Sequence, residues 1–460
     1  MLSREEIAKI EIGHTNVSPR VAGTLVVWFL LMLAVLPAAE VFGVASSGDL
    51  GPWSHLAGVP DTIRERLTAL RAESQEPGMW RQLVASNRAV LQGLSGFERS
   101  LEDQSVVGRA LRPPTQWVLS GALGAGNERV YVGRDGWLFY RPDVEYVTGR
   151  GFLEPAEMAR RIAAADEYEQ PPQPDPRPAI LQFKRDLERR GITLVLMPTP
   201  VKPVVHGDRL WPGNGAGRPR TEGEPDARLN GATDGTAALA GLHNASYRAF
   251  LDELTRAGVL VFDPSAELAS ASASGPQYLA TDTHWRPEAM QRVAESLASF
   301  LERHVPLPAV PPPGYTAQRR EAQQLGDTAV MLDLPQGQTL YPPERVTLRF
   351  ITDASGDPWR ADRAADILLL GDSFTNMYSL ATMGWGESAG LAEQLSYILQ
   401  RPVDRIVQND QGAHATRAIL RRELDAAVDR LMGKRVVVWQ FAARELSSGD
   451  WKLIEIPQSR

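Results

Sequence analysis

Three side chains in this sequence have the types and spacing of a nucleophile, its base and the group that orients the base: Ser373, His284 and Asp282. Ser373 lies in ADILLLGDSFTNMY, residues 365–378, just after the unbroken apolar run Ile367–Leu370. That run is too short for a helix and fits a strand buried on both faces, as in a parallel sheet. A serine past the carboxyl end of such a strand stands where open α/β sheets bind their ligands. Its backbone N–H then joins the first unsatisfied donors of the next helix, which favour a developing negative charge. The dipeptide Gly-Asp carries no signal alone, since it recurs at Gly48, Gly207, Gly326, Gly356 and Gly449. Only Gly371 follows a strongly apolar strand.

The base and its orienter come from YLATDTHW, residues 278–285, with Asp282 two positions ahead of His284. A carboxylate that close can hold the imidazole or tune its basicity. Histidine's ordinary pKa, about 6.5, suits a base working near neutral pH. Singly, an Asp or a His reads as a surface group, a helix cap or a satisfied core group. Joined to a strand-borne serine, the pair reads as catalytic.

The elements that must position these groups follow an α/β alternation. Apolar strands are expected at Ile192–Met197, Val259–Phe262, Ile367–Leu370, Val403–Gln408 and Arg435–Phe441. Helices are expected at Pro155–Gln170, Leu181–Arg190, Tyr247–Arg256, Pro287–Arg303, Ala389–Gln400 and Thr416–Met432. Helix, glycine, then apolar strand is the mark of such a sheet. VYVGRDGWLFY, residues 130–140, reads as a hairpin around Arg134-Asp135-Gly136. Leu325–Pro335 is expected as a short helix over the active face, inside an otherwise polar region running to Asp362. Lys202, just after the first strand, either steers an anionic substrate or caps a turn.

Composition bounds the class. With 460 residues and 43% hydrophobic content, the chain can bury a large core in one domain or two. A formal net charge of -7 and the lack of a basic stripe exclude a nucleic-acid binder. The absence of cysteine removes disulfides, thiolate nucleophiles and zinc–thiolate sites, and the pattern calls for no cofactor or metal. Val21–Ala39 runs without a charge, with Arg4, Lys9 and Arg20 before it and no further Lys or Arg until Arg64. Its length approaches a bilayer core, and the charge bias puts the amino terminus in the cytoplasm. The expected layout is a cytoplasmic tail at 1–20, a transmembrane anchor at 21–42, a helical stem at 46–125 and a catalytic domain at 126–460. A cleaved signal peptide ending near Ala45 is the rival reading. The stem is read as broken at Pro77-Gly78 and Pro113-Pro114, with Trp80 packed, and residues 208–242 as a mobile insertion.

VYVGRDGWLFY, LVLMPTPVK, TDTHW, GDSFT and VVVWQFAARE, in that order, resemble the AlgJ/AlgX-like SGNH-fold polysaccharide O-acetyltransferase family. Ordinary SGNH hydrolases place the serine first and the Asp–His pair last; here the pair comes first, as in this permuted family. The anchor and the lack of a following sugar-binding module look more like the AlgJ branch. The resemblance implies an SGNH-hydrolase-like parallel sheet with flanking helices, with Ser373 as nucleophile, His284 as base and Asp282 as its orienter. Oxyanion donors are then the Ser373 N–H and Asn409. Candidate substrate contacts are Lys202, Trp285, Tyr378 and Arg444, the last also a candidate brace. The implied partners are a membrane-bound O-acyltransferase as acetyl donor, a polysaccharide acceptor and other export-complex subunits, with the body of the protein in the periplasm on the inner membrane. An acetylesterase with the same triad and a non-catalytic scaffold are the alternatives.

Overall fold

The computed structural model describes residues 18–47, 51, 53–73, 78–164, 171–210 and 242–458. It divides into two compact units, 1–115 and 116–460. The first consists of helices Pro19–Ser47, Trp53–Ala57, Val59–Glu73 and Met79–Gln104 and the start of Val106–Leu123. Within it the Trp53 ring meets Phe97 at 5.0 Å. Two expectations fail in this region. Trp80 is 76% exposed rather than packed. The helix Val106–Leu123 runs straight through Pro113-Pro114, and the break falls at Ser105, whose ψ of 128° is extended. An interior proline removes a hydrogen bond and crowds the carbonyl four residues back, so the pair weakens this helix without ending it.

The charge-free Val21–Ala39 run lies inside the 29-residue helix Pro19–Ser47. Among the described residues, no helix is long and apolar enough to cross a membrane. Most of the expected tail, residues 1–17, and most of the expected insertion, residues 211–241, lie outside the described residues. The insertion's first part forms a helical turn, Gly207–Leu210.

The second unit opens with the antiparallel hairpin of β1 (Val130–Val132) and β2 (Leu138–Tyr140). Asp135 and Gly136 turn it, at φ 53° and 78°, the left-handed pair that a tight hairpin requires. The strands β3 (Thr193–Thr199) and β4 (Leu260–Val261) follow, then β5 (Thr316–Gln324) and β6 (Glu344–Thr352). The chain's last three strands are β7 (Ile367–Gly371), β8 (Asp404–Val407) and β9 (Val436–Ala442). Five of them form one parallel sheet in the order β4-β3-β9-β7-β8. Every residue of β7 and β9 is buried, as strands covered on both faces must be. The chain after β3 moves to one edge and the chain after β7 to the other, so a crevice opens at their carboxyl ends around β9.

Covering helices supply the apolar stripes. Pro176–Glu188 buries Ala179, Ile180, Phe183 and Leu187. Pro287–His304 buries Met290, Val293, Leu297 and Leu301, and Leu391–Leu399 packs beside it. The first of these starts five residues before the expected Leu181, because Pro176 sits in the first turn and Asp175 caps the Arg177 N–H. The helix expected at Thr416–Met432 is observed as Ala415–Asp425 and stops well short of Met432. The antiparallel pair β5–β6 replaces much of the polar region expected between residues 313 and 362. The signal was half present: Val346, Leu348 and Phe350 alternate inward on β6, whereas the first six residues of β5 are exposed and show no period.

Candidate active site

The site begins where β7 ends. Gly371 has no room for a side chain, since a Cβ there would lie 2.3 Å from Thr375 Oγ1. The chain therefore turns tightly into the helical turn Ser373–Asn376. Asp372 fixes this turn: its Oδ1 accepts from the Phe374 N–H and from Gln440 Nε2, and its Oδ2 from the Ala442 N–H on β9. Gln440, fully enclosed on β9, completes the knot by accepting from the Asp372 N–H and Thr375 Oγ1 and donating to Thr199 Oγ1 on β3. Three adjacent strand ends are thus tied through two side chains, and Ser373 is the polar group they present.

His284 and Asp282 arrive on the turn after β4, whose shape is set by an isolated bridge between Tyr278 and Trp285. His284 Nε2 lies 2.8 Å from Ser373 Oγ, and His284 Nδ1 lies 2.7 Å from Asp282 Oδ1. All three are buried. The Phe374 ring packs on the imidazole at 4.8 Å and edge-on against Trp285, fixing the ring plane. Asp282 is saturated: Oδ1 also accepts the His284 N–H, and Oδ2 accepts the Asp327 N–H and Trp385 Nε1.

A second carboxylate stands beside this pair. Asp327 begins the short helix Asp327–Met331, which lies over the site as expected for Leu325–Pro335. Its Oδ1 accepts the Thr283 N–H, and its Oδ2 stands 3.7 Å from His284 Nδ1. Gly326 makes this approach possible, because a Cβ there would fall 2.0 Å from the Thr281 carbonyl oxygen. The electrostatics follow. Burial pushes the Asp282 carboxyl up, but the hydrogen bond and charge of His284 outweigh it and hold the pKa below the ordinary 3.8. Burial pushes the His284 imidazole down, yet Asp282, by hydrogen bond and charge, and Asp327, by charge, hold it above 6.5. Asp327 is pushed up to about 6 by burial and by the neighbouring Asp282 charge.

Asp282, His284 and Asp327 together bring three possible ligand atoms within 4.8 Å of one another. The pairing seen here spends those atoms differently. Both Asp282 oxygens are fully engaged, and the imidazole spans Asp282 and Ser373, the arrangement of a proton relay rather than of a metal cage.

A cleft of about 320 Å³ opens beside the Asp282–His284 pair, and Ser373 is not among its lining residues. Asp282, His284 and Asp327 line it, with Gln324 and the apolar Leu325, Val330, Met331, Met377, Met383 and Trp385. Of the expected substrate contacts, none stands on this wall. Lys202 is fully buried and its ammonium donates to the carbonyls of Leu138 and Ala280, bracing the hairpin to the His284 turn. Trp285 and Tyr378 are core, joined by the Tyr378 hydroxyl donating to the Trp285 carbonyl. Arg444 braces, as one of its two expected roles had it, by pairing with the buried Asp143 at 3.0 Å. Polar type at a strand end drew attention to these residues, but their reach is inward. Asn409 meets Met383 of the cleft wall: its Oδ1 accepts from Asn376, and its Nδ2 donates to the Met383 sulfur, a weak acceptor at 3.4 Å. Asp327 and Trp385 escaped notice in the sequence, although Gly326-Asp327 is one of the Gly-Asp pairs set aside as noise.

A parallel α/β sheet, a serine just past the end of β7, the strand beside the central β9, and a histidine–aspartate pair in line with it have the geometry that serine-dependent acyl transfer would use. Residues 130–443 match the family described as "SGNH hydrolase-like domain, acetyltransferase AlgX". The chain belongs to that family, and its activity class is O-acetyltransferase. It is similar to the probable alginate O-acetylase AlgJ of Pseudomonas syringae pv. tomato, 24% identical over 329 residues, which span 70% of each chain. It is likewise similar to the probable alginate O-acetylase AlgJ of Pseudomonas aeruginosa, at 28% identity over 326 residues, 70% of this chain and 71% of that one. Among solved structures it resembles the O-acetyltransferase domain of Pseudomonas putida AlgJ, with a TM-score of 0.48 and 21% identity, covering 69% of this chain and 92% of that one.

Proposed function

We propose that this chain acetylates hydroxyls of a polysaccharide during its export, through an acetyl ester on Ser373. One observation carries the reading: the unbroken hydrogen-bond line from Asp282 through His284 to the Ser373 hydroxyl. With the Nδ1 proton donated to Asp282, Nε2 is left to accept the Ser373 proton as Oγ attacks the acetyl carbonyl. The oxyanion forms against the Ser373 N–H, with the Asn409 amide turning from the Met383 sulfur as second donor. Collapse returns the proton to the departing donor. A sugar hydroxyl then repeats the step, giving its proton to His284 Nε2 and taking the acetyl group, while Ser373 leaves protonated.

The relatives are named for alginate, which makes that polymer one candidate acceptor. The donor in this reading is a membrane-bound O-acyltransferase, and the chain works beside other subunits of an export complex. Residues 21–42 anchor it in the inner membrane, with 1–20 in the cytoplasm and the catalytic domain in the periplasm. The support is the uncharged Val21–Ala39 run, the basic residues before it and the exposed apolar side chains, such as Leu25, Trp28 and Phe29, along the helix.

Water competes for the acyl-serine, and an acetylesterase would share the first half-reaction. Holding an acceptor in attack geometry supplies effective molarities on the order of 10⁵ M, far above bulk water. The test supplies an activated acetyl ester with and without oligosaccharides and follows both free acetate and acetylated sugar. Acetylated sugar that appears only with intact Ser373 supports transfer. Acetate release indifferent to every acceptor, with acetylated polymer stripped instead, gives the esterase.

A further inference from the structure

The Asp282–His284 pair has a neighbour that a serine relay does not require. The Asp327 carboxylate stands 3.7 Å from His284 Nδ1, which Asp282 already holds at 2.7 Å. Two bonds tie this residue to the relay: its Oδ1 accepts the Thr283 N–H, and its own N–H donates to Asp282 Oδ2. The Ala329 N–H and the Thr328 hydroxyl donate to the Thr281 carbonyl, so the short helix is fastened to the turn on both sides of Asp282. Asp282 is enclosed with both oxygens filled, whereas the Asp327 side chain keeps 31% of its surface exposed. Other charged groups face the relay from the elements packed around it. Lys202, on the helical turn after β3, acts on Asp327 by charge while its ammonium donates to the Leu138 and Ala280 carbonyls. Glu344, at the start of β6, accepts the Ala280 and Thr281 N–H groups and stands 3.9 Å from Arg286. Arg444, paired with Asp143, opposes protonation of His284.

Resting on the acyl-serine reading above, we propose that Asp327 is a positioning residue of the relay: its carboxylate holds the Thr283–His284 turn and, while ionised, gives the imidazolium that forms on His284 a second negative charge. As Oγ attacks, its proton passes to Nε2 while the Nδ1 proton stays on the ring, so the ring gains one positive charge and two carboxylates face it. A carboxylate at this range, partly screened by water, contributes about tenfold to that step. Burial and the Asp282 charge push Asp327 up to about 6, so it is ionised at neutral pH and loses its charge in mild acid. Full activity then needs two groups without their protons, a neutral His284 and an ionised Asp327. The two titrate together, so the apparent values read from kinetics belong to the pair.

The experiment follows p-nitrophenyl acetate cleavage by the full chain in detergent, from about pH 4.5 to 9, beside Asp327→Asn. In the unaltered chain log kcat/KM should fall toward acid with a slope of one and steepen toward two below about pH 6. Asparagine keeps an oxygen for the Thr283 N–H and the backbone bond to Asp282 but carries no charge. His284 then loses one of the charges that hold its pKa up, so the acid limb should move to lower pH with a slope of one, and the plateau should drop about tenfold. A second readout needs no turnover. In the full chain carrying Ser373→Ala, the His284 imidazole is followed by NMR and assigned by its loss in His284→Gln. Adding Asp327→Asn should make it titrate at lower pH. The proposal falls if either the acid limb or the imidazole titration stays where it was in Asp327→Asn. It falls equally if the unaltered chain keeps a slope of one throughout, which decides the matter even where the variant does not fold. Ester cleavage that survives Ser373→Ala removes the acyl-serine reading, whereas the imidazole titration reports on Asp327 with or without it, so the two readings fail separately.

Discussion

Ser373→Ala removes one oxygen from a buried turn that Asp372 and Gln440 hold by other bonds. Turnover should drop by about 10⁴-fold or more while the melting temperature stays within ~2 °C, read by ester hydrolysis and calorimetry. In the proposed mechanism His284 sets the pH profile. Its neutral form is the base, so kcat/KM should fall as pH drops through a pKa above the ordinary 6.5. Asp282→Asn removes the two leading causes of that rise, so the acid limb should move to lower pH as the plateau falls. Stability has the opposite sense. The charged imidazole is favoured in the folded state, so its contribution is complete below about 6.5 and is lost as pH rises through the raised value. Asp282→Asn should therefore cost more stability at pH 5.5 than at pH 9, by chemical denaturation at both. Lys202 belongs to structure at this scale: Lys202→Met removes the ammonium from the Leu138 and Ala280 carbonyls, the second keeping only the Leu138 N–H, and should cost about 2–4 kcal/mol.

At the scale of elements, the site is a join between strand ends and two turns. Gln440 makes four hydrogen bonds at the strand ends, so Gln440→Leu takes a partner from the Asp372 N–H, Thr375 and Thr199, and leaves Asp372 Oδ1 with the Phe374 N–H alone. The loss should be about 2–4 kcal/mol, with kcat lowered more than KM is raised, because what moves is Ser373 rather than the cleft wall. Gly326 is the corresponding contact between the Asp327 helix and the His284 turn. Gly326→Ala places a methyl against the Thr281 carbonyl and the Asp282 N–H, and the helix must lift. Activity should fall at least about tenfold with the hydrophobic core unchanged, a split that near-ultraviolet circular dichroism beside ester kinetics would reveal.

For the whole molecule, the site belongs to one of the two units. The family match spans 130–443 and the site lies wholly in the unit 116–460. A chain begun at Val106 should keep Ser373-dependent ester cleavage and appear in the soluble fraction, whereas the full chain should sediment with membranes and need detergent. Protease added outside spheroplasts should reach the catalytic unit of the full chain. Retention of the full chain in the soluble fraction would remove the anchor from the proposal.

What local pattern determines was readable in advance. A short apolar run at Ile367–Leu370 fits a doubly covered strand, similar runs pointed to the other sheet strands, and the turn residues Arg134-Asp135-Gly136 to the hairpin. That Ser373, His284 and Asp282 meet was legible because serine, histidine and aspartate stand in distinctive local settings. β5 was not, because an exposed strand held by its partner has no face to bury and so no alternation to show. Nor was the inward turn of Lys202, Trp285 and Tyr378, since a residue at a strand end can point into the cleft or away from it and sequence does not record which. Asp327 shows the limit most clearly. Its dipeptide with Gly326 matches five others in the chain, and it joins the site only because a missing Cβ lets one helix close on the turn that carries His284. Residue type fixes what chemistry is available; only the packing of distant segments decides which of those groups meet.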